Sequence, residues 1–401
     1  MELSSPTQVL LWGFFGAMVL GAVASKTNFC TMGAVSDWIN MGKKGRLWAW
    51  LSAAAIALAG VLILEAMGML DIESSIPPYR TASFAWLRYL LGGCMFGIGM
   101  TLAGGCGNKT LLNIGGGNLK SLLVFVIIGG FAFLMTKTDF YAVVFHSWIS
   151  ATTIDLAAFG ASSQSLPHLL HALSGIEART LSFAIGGILV VVTLVMALRD
   201  RHFRGNAHNI VAAVMIGGII LGGWYLTGGP LGQAAIEAVD WLDEKPLGVG
   251  IQSYTFINPM GEALYYLSAP GDLLRVTFGV LAVVGVMLGS LIVAVVTGKF
   301  QIVWFTSRND LVNHLVGAVL MGIGGVLAMG CTIGQGITGV STLALGSFLV
   351  LGSIIFGSAL TMKIQYYRMA YDEEATFVGA LLSSLVDIHL LPAALRRLDP
   401  P

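Results

Sequence analysis

Apolar residues in this chain fall into long blocks separated by short polar breaks. A transmembrane helix needs about 20 mostly apolar residues. Runs of that order without Asp, Glu, Lys or Arg stand at Leu3–Ser25, Leu47–Leu64, Tyr89–Asn108, Ser121–Thr136, Leu181–Leu198, Gly205–Ile236 and Val276–Gly298. The longest, Leu311–Met362, has room for two helices, and its centre, Gly330–Gly339, is too rich in Gly to continue one helix. The pattern predicts an all-α polytopic membrane protein with nine spans, over roughly 7–24, 47–67, 85–103, 120–136, 180–198, 207–227, 272–296, 311–329 and 341–362, together with short broken or re-entrant helices. The interval 137–179, with Asp139, His146, Asp155, His168 and His171, is too polar for a span and is expected to be external. The expected organisation is a first half over 1–136, a connecting segment over 137–179, a second half over 180–362 and a cytoplasmic tail over 363–401 with one amphipathic segment, Phe377–Leu395.

Composition narrows the class. Charged residues are 10% of the 401 positions, against about 25% in soluble proteins, and hydrophobic residues are 56%. A soluble enzyme could not cover that much apolar surface, and a nucleic-acid partner would call for a basic patch. The few charges sort by side. Lys43, Lys44 and Arg46 follow span one, Arg199, Arg201 and Arg204 follow span five, Lys299 and Arg308 follow span seven, and Lys363 and Arg368 follow span nine. Nine spans put all of them on one face, and put the acidic 228–271 stretch, with Glu237, Asp240, Asp243, Glu244 and Glu262, on the other. The positive-inside rule then places the N-terminus outside and the C-terminus in the cytoplasm.

Two segments repeat. Residues 92–106 align without gaps to 317–331, with identities at Gly92/Gly317, Gly97/Gly322, Ile98/Ile323, Gly99/Gly324, Leu102/Leu327, Ala103/Ala328, Gly105/Gly330 and Cys106/Cys331. They lie in spans three and eight, which cross in opposite directions. An inverted repeat with broken helices is how many secondary transporters place a substrate site near the midplane.

Three Gly-flanked cysteine loops follow apolar spans: Lys26–Gly33 around Cys30, Gly104–Lys109 around Cys106, and Gly330–Gly336 around Cys331. Non-helical backbone at membrane depth is tolerated only inside protein or around a hydrated cavity. Freed N–H groups and the start of the next short helix suit an anion. A thiol is a weak S–H donor and a soft partner, better suited to a sulfur-containing ligand than to a hard oxyanion. Cys94, mid-helix among Gly and Met, reads as packing. Lys26 and Lys109 either meet substrate or snorkel to the interface. Asn108, Asn113, Asn118 and Gln335 supply side-chain donors or tie their loops to the backbone. Asp37 caps a short helix, pairs with Lys43 or touches substrate, while Arg88 and Arg275 read as interfacial anchors. The histidines have no metal-ligand spacing, no ATP-binding Gly-rich motif is present, and no cofactor is expected.

Cys30 in Asn-Phe-Cys-Thr-Met-Gly-Ala, Cys106 in Ala-Gly-Gly-Cys-Gly-Asn and Cys331 in Ala-Met-Gly-Cys-Thr-Ile-Gly-Gln-Gly resemble the YeeE/YedE family of prokaryotic membrane proteins. The likeness runs from span one through span nine and is weakest over 137–180 and 228–270. It implies an hourglass-shaped helical body that takes up thiosulfate or a related sulfur anion across the inner membrane. It further implies that Cys30, Cys106 and Cys331 pass the ion inward by S–H···S contacts, and that some members work with a small cytoplasmic sulfur-carrier protein. The expected substrate-binding set is Cys30, Cys106, Cys331, Lys109, Asn108 and Gln335, in a non-enzymatic transporter embedded in lipid. Two rival readings remain at this level. In one, a sulfur-transfer protein forms a cysteine persulfide and hands sulfur to a carrier. In the other, the chain is a scaffolding subunit whose cysteines only pack.

Overall fold

The computed structural model describes residues 4–371, 376–388 and 390–398, so the expected tail over 363–401 is described only in part. The helices are α1 (Ser5–Thr27), α2 (Thr31–Met41), α3 (Gly45–Ala66), α4 (Trp86–Leu102), α5 (Gly107–Gly115), α6 (Leu119–Lys137), α7 (Leu166–Ser174), α8 (Ala178–Arg199), α9 (Ala207–Gly228), α10 (Pro230–Asp240), α11 (Ile257–Leu267), α12 (Phe278–Val296), α13 (Arg308–Leu327), α14 (Leu345–Tyr371) and α15 (Phe377–Asp387). Among the described residues nine helical stretches are long and apolar enough to cross a membrane, with α1–α2 and α4–α5 each counting as one interrupted crossing. The chain is a multi-pass membrane protein. Successive crossings put loops 42–44, 116–118, 200–206 and 297–307 on one side, here called the basic side, and 67–85 and 138–177 on the other.

Small residues let the helices approach closely, which is how apolar helices associate where lipid removes the hydrophobic drive between them. The repeat-bearing helices α4 and α13 cross through glycine. A Cβ on Gly99 would stand 2.6 Å from the Gly317 carbonyl oxygen, and one on Gly317 would stand 2.6 Å from that of Gly99. Gly92 and Gly324 face each other in the same reciprocal way, each 2.8 Å from the other's carbonyl oxygen. Helix α1 packs on α12 while α9 packs on α3, and α4 packs on α14 while α13 packs on α6.

Four crossings are interrupted, and each interruption has a local cause. Asn28 ends α1 in the left-handed region at φ 53°. Gly104, at φ +71°, turns the chain after α4, a conformation glycine adopts without a Cβ penalty. Met329, at φ 56°, ends the α13 crossing, a costly conformation for a side chain of that size. After Cys331 the chain winds a helical segment over 332–342, loosened to a π-helix at Gly334–Gly339. The fourth interruption was not expected. The 228–271 stretch, predicted to be external, instead returns into the protein: Tyr254, Phe256 and Ile257 are buried, and the Tyr254 hydroxyl donates to the Gly13 carbonyl at 2.9 Å. Helix α11 starts there, and the next crossing begins at Phe278 rather than at 272.

Residues 138–177 lie between two crossings, and part of this segment is a buried strap. Ser163, Gln164 and Ser165 are fully buried. The Gln164 amide donates to the Tyr89 hydroxyl at 3.2 Å and its side-chain oxygen accepts from Gly346 N at 3.2 Å, which anchors the strap to α4 and to the start of α14.

Candidate functional site

Four short helical segments begin where the interrupted crossings stop: α2, α5, α11 and the segment 332–342. Helices α2 and α5 run from the interior to the basic side, whereas α11 and 332–342 run to the opposite side, so four helix N-termini meet inside the protein. Cys30 and Cys106 occupy the N-cap positions of α2 and α5, Phe256 that of α11, and Cys331 directly precedes 332–342. Ser, Asp or Asn at those positions would accept hydrogen bonds from the first turn. The Cys30, Cys106 and Phe256 side chains make no such bond, so their first turns keep N–H groups unclaimed by a cap. Cys331 differs, since its sulfur accepts from Gly334 N at 3.4 Å.

Cys30, Cys106 and Cys331 are 7%, 2% and 0% exposed. The thiols of Cys30 and Cys106 lie within hydrogen-bonding reach of each other. Thr332 adjoins Cys106, and Thr255 and the Phe256 backbone adjoin Cys331. The spatial order is therefore Cys30, Cys106, the 331–332 turn, then the 255–256 turn. Thr255 Oγ1 and Thr332 Oγ1, with Asn108 Oδ1 and Asn258 Oδ1, are buried polar atoms without a protein partner.

Cavities lie on both sides of this junction. Toward the basic side, a cavity of about 400 Å³ is lined by Lys26, Lys109, Asn113, His208, Lys299 and other residues, with no Asp or Glu among them. Toward the other side, a cavity of about 260 Å³ lies over Glu65, Glu73, Arg80, His168 and Arg179. Tyr79 and Arg80 separate it from the thiols. The Tyr79 hydroxyl donates to the Gly334 carbonyl at 2.7 Å, and Arg80 Nε donates to the Thr342 carbonyl at 3.0 Å while its guanidinium pairs with Glu65 at 2.6 Å.

The residues singled out from sequence divide as follows. Cys30, Cys106, Cys331 and Asn108 come together at the junction. Lys109 reaches toward the basic-side cavity, where its ammonium donates to Asn28 Oδ1 at 3.3 Å, and Lys26 lines the same space. Gln335 is engaged at both ends of its amide, donating to the Ala328 carbonyl at 2.6 Å and accepting from the Ser347 hydroxyl at 2.7 Å. Asn118 caps α6 through Lys120 N at 3.0 Å. Asp37 pairs with Arg46, at 2.5 and 2.7 Å, and not with Lys43. Arg88 donates to the Val326 carbonyl near the end of α13 at 3.0 Å, where a cation meets the negative end of a helix. Arg275 bonds Asp272 at 2.8 Å and stacks over Tyr265. Cys94 lies in the α4–α14 contact, with Gly357 packed on its carbonyl.

Sequence reading missed Thr332, Thr255 and the whole fourth half-helix. One signal was present: Pro246–Gly261 is uncharged, and its Asn258-Pro259-Met260-Gly261 end echoes Thr31-Met32-Gly33 beside Cys30.

Comparison with known proteins supplies a context. A family model described as sulphur transport matches residues 26–360. A thiosulfate transporter TsuA of Escherichia coli strain K12 is 26% identical over 381 residues, covering 90% of this chain and 96% of that protein. A thiosulfate transporter TsuA of Spirochaeta thermophila is 24% identical over 366 residues, covering 90% of this chain and all of that protein.

Proposed function

The chain belongs to the sulphur transport family, and we propose that it carries thiosulfate or a related sulfur-containing anion across the cytoplasmic membrane, through the junction of its four half-helices. The observation that carries this reading is the convergence of four helix N-termini on three buried thiols. A dianion cannot enter hydrocarbon bare. Each helix N-terminus is equivalent to roughly +0.5 elementary charge, so four together offset about two negative charges without placing a fixed cation in the path. A lysine at the same point would hold the ion; thiols, as weak donors, let it move on. Several moderate sites in sequence are what permeation requires.

In this reading the ion is handed from the 331–332 turn to Cys106 and then to Cys30, and leaves through the cavity lined by Lys26 and Lys109. Basic loops beside that cavity support a cytoplasmic exit, with the N-terminus outside and the C-terminus inside. Reciprocal glycine contacts between α4 and α13 support two halves related by an inverted repeat. Asn108 serves the substrate at the junction, and Lys109 steers it at the basic-side cavity. Gln335 serves it by holding the Cys331 turn. A small soluble sulfur-carrier protein on the basic side is the expected partner that receives the anion.

The test is uptake of radiolabelled thiosulfate into proteoliposomes, with sulfate as competitor. Uptake that resists sulfate is expected. Absence of uptake in correctly inserted protein would overturn the reading, and a covalent mass increment on a cysteine after exposure to thiosulfate would replace it with the persulfide mechanism.

A further inference from the structure

Of the four half-helices, three present sulfur and one does not. At the fourth, the turn before α11 presents Thr255, whose hydroxyl abuts the backbone of Gly334 beside Cys331. Across the junction Thr332, which is 0% exposed, directs its hydroxyl toward Cys106. Both hydroxyl oxygens are buried without a protein partner. Threonine commonly returns its hydroxyl to a carbonyl one turn earlier, as Thr110 does to Cys106 at 3.2 Å and Thr361 to Gly357 at 2.8 Å. Thr332 stands too close to its helix start for such an acceptor within the helix, and Thr255 lies outside any helix. A buried hydroxyl left unpaired lowers stability, so its presence calls for a compensating partner.

We infer that Thr332 and Thr255 are substrate-contacting residues that donate hydrogen bonds to the oxygen atoms of the anion while the thiols face its sulfur. The inference deepens the transport reading and rests on it. It also names a substrate class: an anion with one soft sulfur end and one hard oxyanion end, each met by donors of its own kind. Sulfate satisfies the hydroxyls and leaves the thiols without a soft partner, while hydrosulfide does the reverse.

Binding and transport are read separately. Purified protein is heated with and without thiosulfate, and the same protein is assayed for uptake. For Thr332→Val and Thr255→Val, which keep the shape and remove the hydroxyl, the melting temperature without ligand should stay the same or rise. Stabilisation by thiosulfate should need at least about tenfold more ligand. Thr332→Ser, which keeps the hydroxyl, should bind as the wild type does. A purely structural threonine predicts the reverse, with a lower melting temperature and unchanged ligand dependence. Valine variants that bind thiosulfate at wild-type concentrations, as they would if the hydroxyls only held water, overturn the inference, and so does a wild type that thiosulfate fails to stabilise. Wild-type protein that binds thiosulfate and loses binding on Thr→Val, yet shows no uptake, sinks the transport reading and leaves this assignment standing.

Discussion

Two half-helices start on each side of the junction, and the two sides are finished differently. On the basic side, α2 and α5 start at Cys30 and Cys106 and lead to a cavity of about 400 Å³ with lysines and no acid on its walls. On the other side, α11 and 332–342 start at Phe256 and Cys331, and are overlaid by Tyr79, Arg80 and the buried strap at 163–165. One side is positively lined. The other is roofed, and Arg80 there is committed to Glu65 and the Thr342 carbonyl. The difference teaches that paired half-helices can be finished with unlike side chains, a lysine-lined cavity on one side and an arginine–glutamate pair on the other.

The comparison breaks most directly at its centre. Cys106 stands between Cys30 and the 331–332 turn, so Cys106→Ala should reduce uptake by roughly a hundredfold or more at unchanged membrane abundance. Normal uptake by that variant would end the relay. Next comes the glycine contact between α4 and α13. Gly99→Val forces α4 and α13 apart at the Gly317 carbonyl and should cost about 1–3 kcal/mol, seen as an earlier unfolding transition, with Gly317→Val costing about the same because the contact is reciprocal.

Smaller effects sharpen the contrast between the sides. Lys26→Gln with Lys109→Gln should slow uptake about threefold to tenfold at low ionic strength, and less in ~1 M salt, where the Debye length is about 3 Å. Equal slowing in both salts would argue for direct contact over steering. Smallest is the pH response of the roofed side. Burial pushes His168 below its ordinary value of 6.5, with Glu73, Arg80, His171 and Glu65 the charged groups around it and its Nδ1 near the Ser163 and Ser165 hydroxyls. The folded state therefore resists protonation at this site. Its contribution to stability is complete above the unfolded value and declines as pH falls below it. Replacing His168 with Gln should flatten the melting temperature between about pH 7 and pH 5. An unchanged slope would assign the acid sensitivity to other groups.

Much of the molecule was legible in its letters, because the cost of placing about 20 residues in hydrocarbon is a local sum over those residues. That sum returned nine crossings and their alternation. Met and Gly next to Cys likewise marked three of the four interruptions. The fourth escaped because 251–256 is short and flanked by acidic residues, and its burial comes from Tyr254 reaching α1 rather than from hydropathy. Gln335 and Asp37 kept several readings open for a similar reason. Ser347 and the Ala328 carbonyl decide the first, and Arg46 the second.

The local chain thus dictates which segments cross, where backbone groups are freed and which soft donors stand at those points. Only the packed fold decides that Cys30 meets Cys106, that Thr332 and Thr255 turn toward the thiols, and that one side is lined by lysines while the other is roofed by Tyr79 and Arg80. Insertion energy is additive along the sequence. Encounters between residues about 225 positions apart depend instead on glycine-faced helices settling against one another.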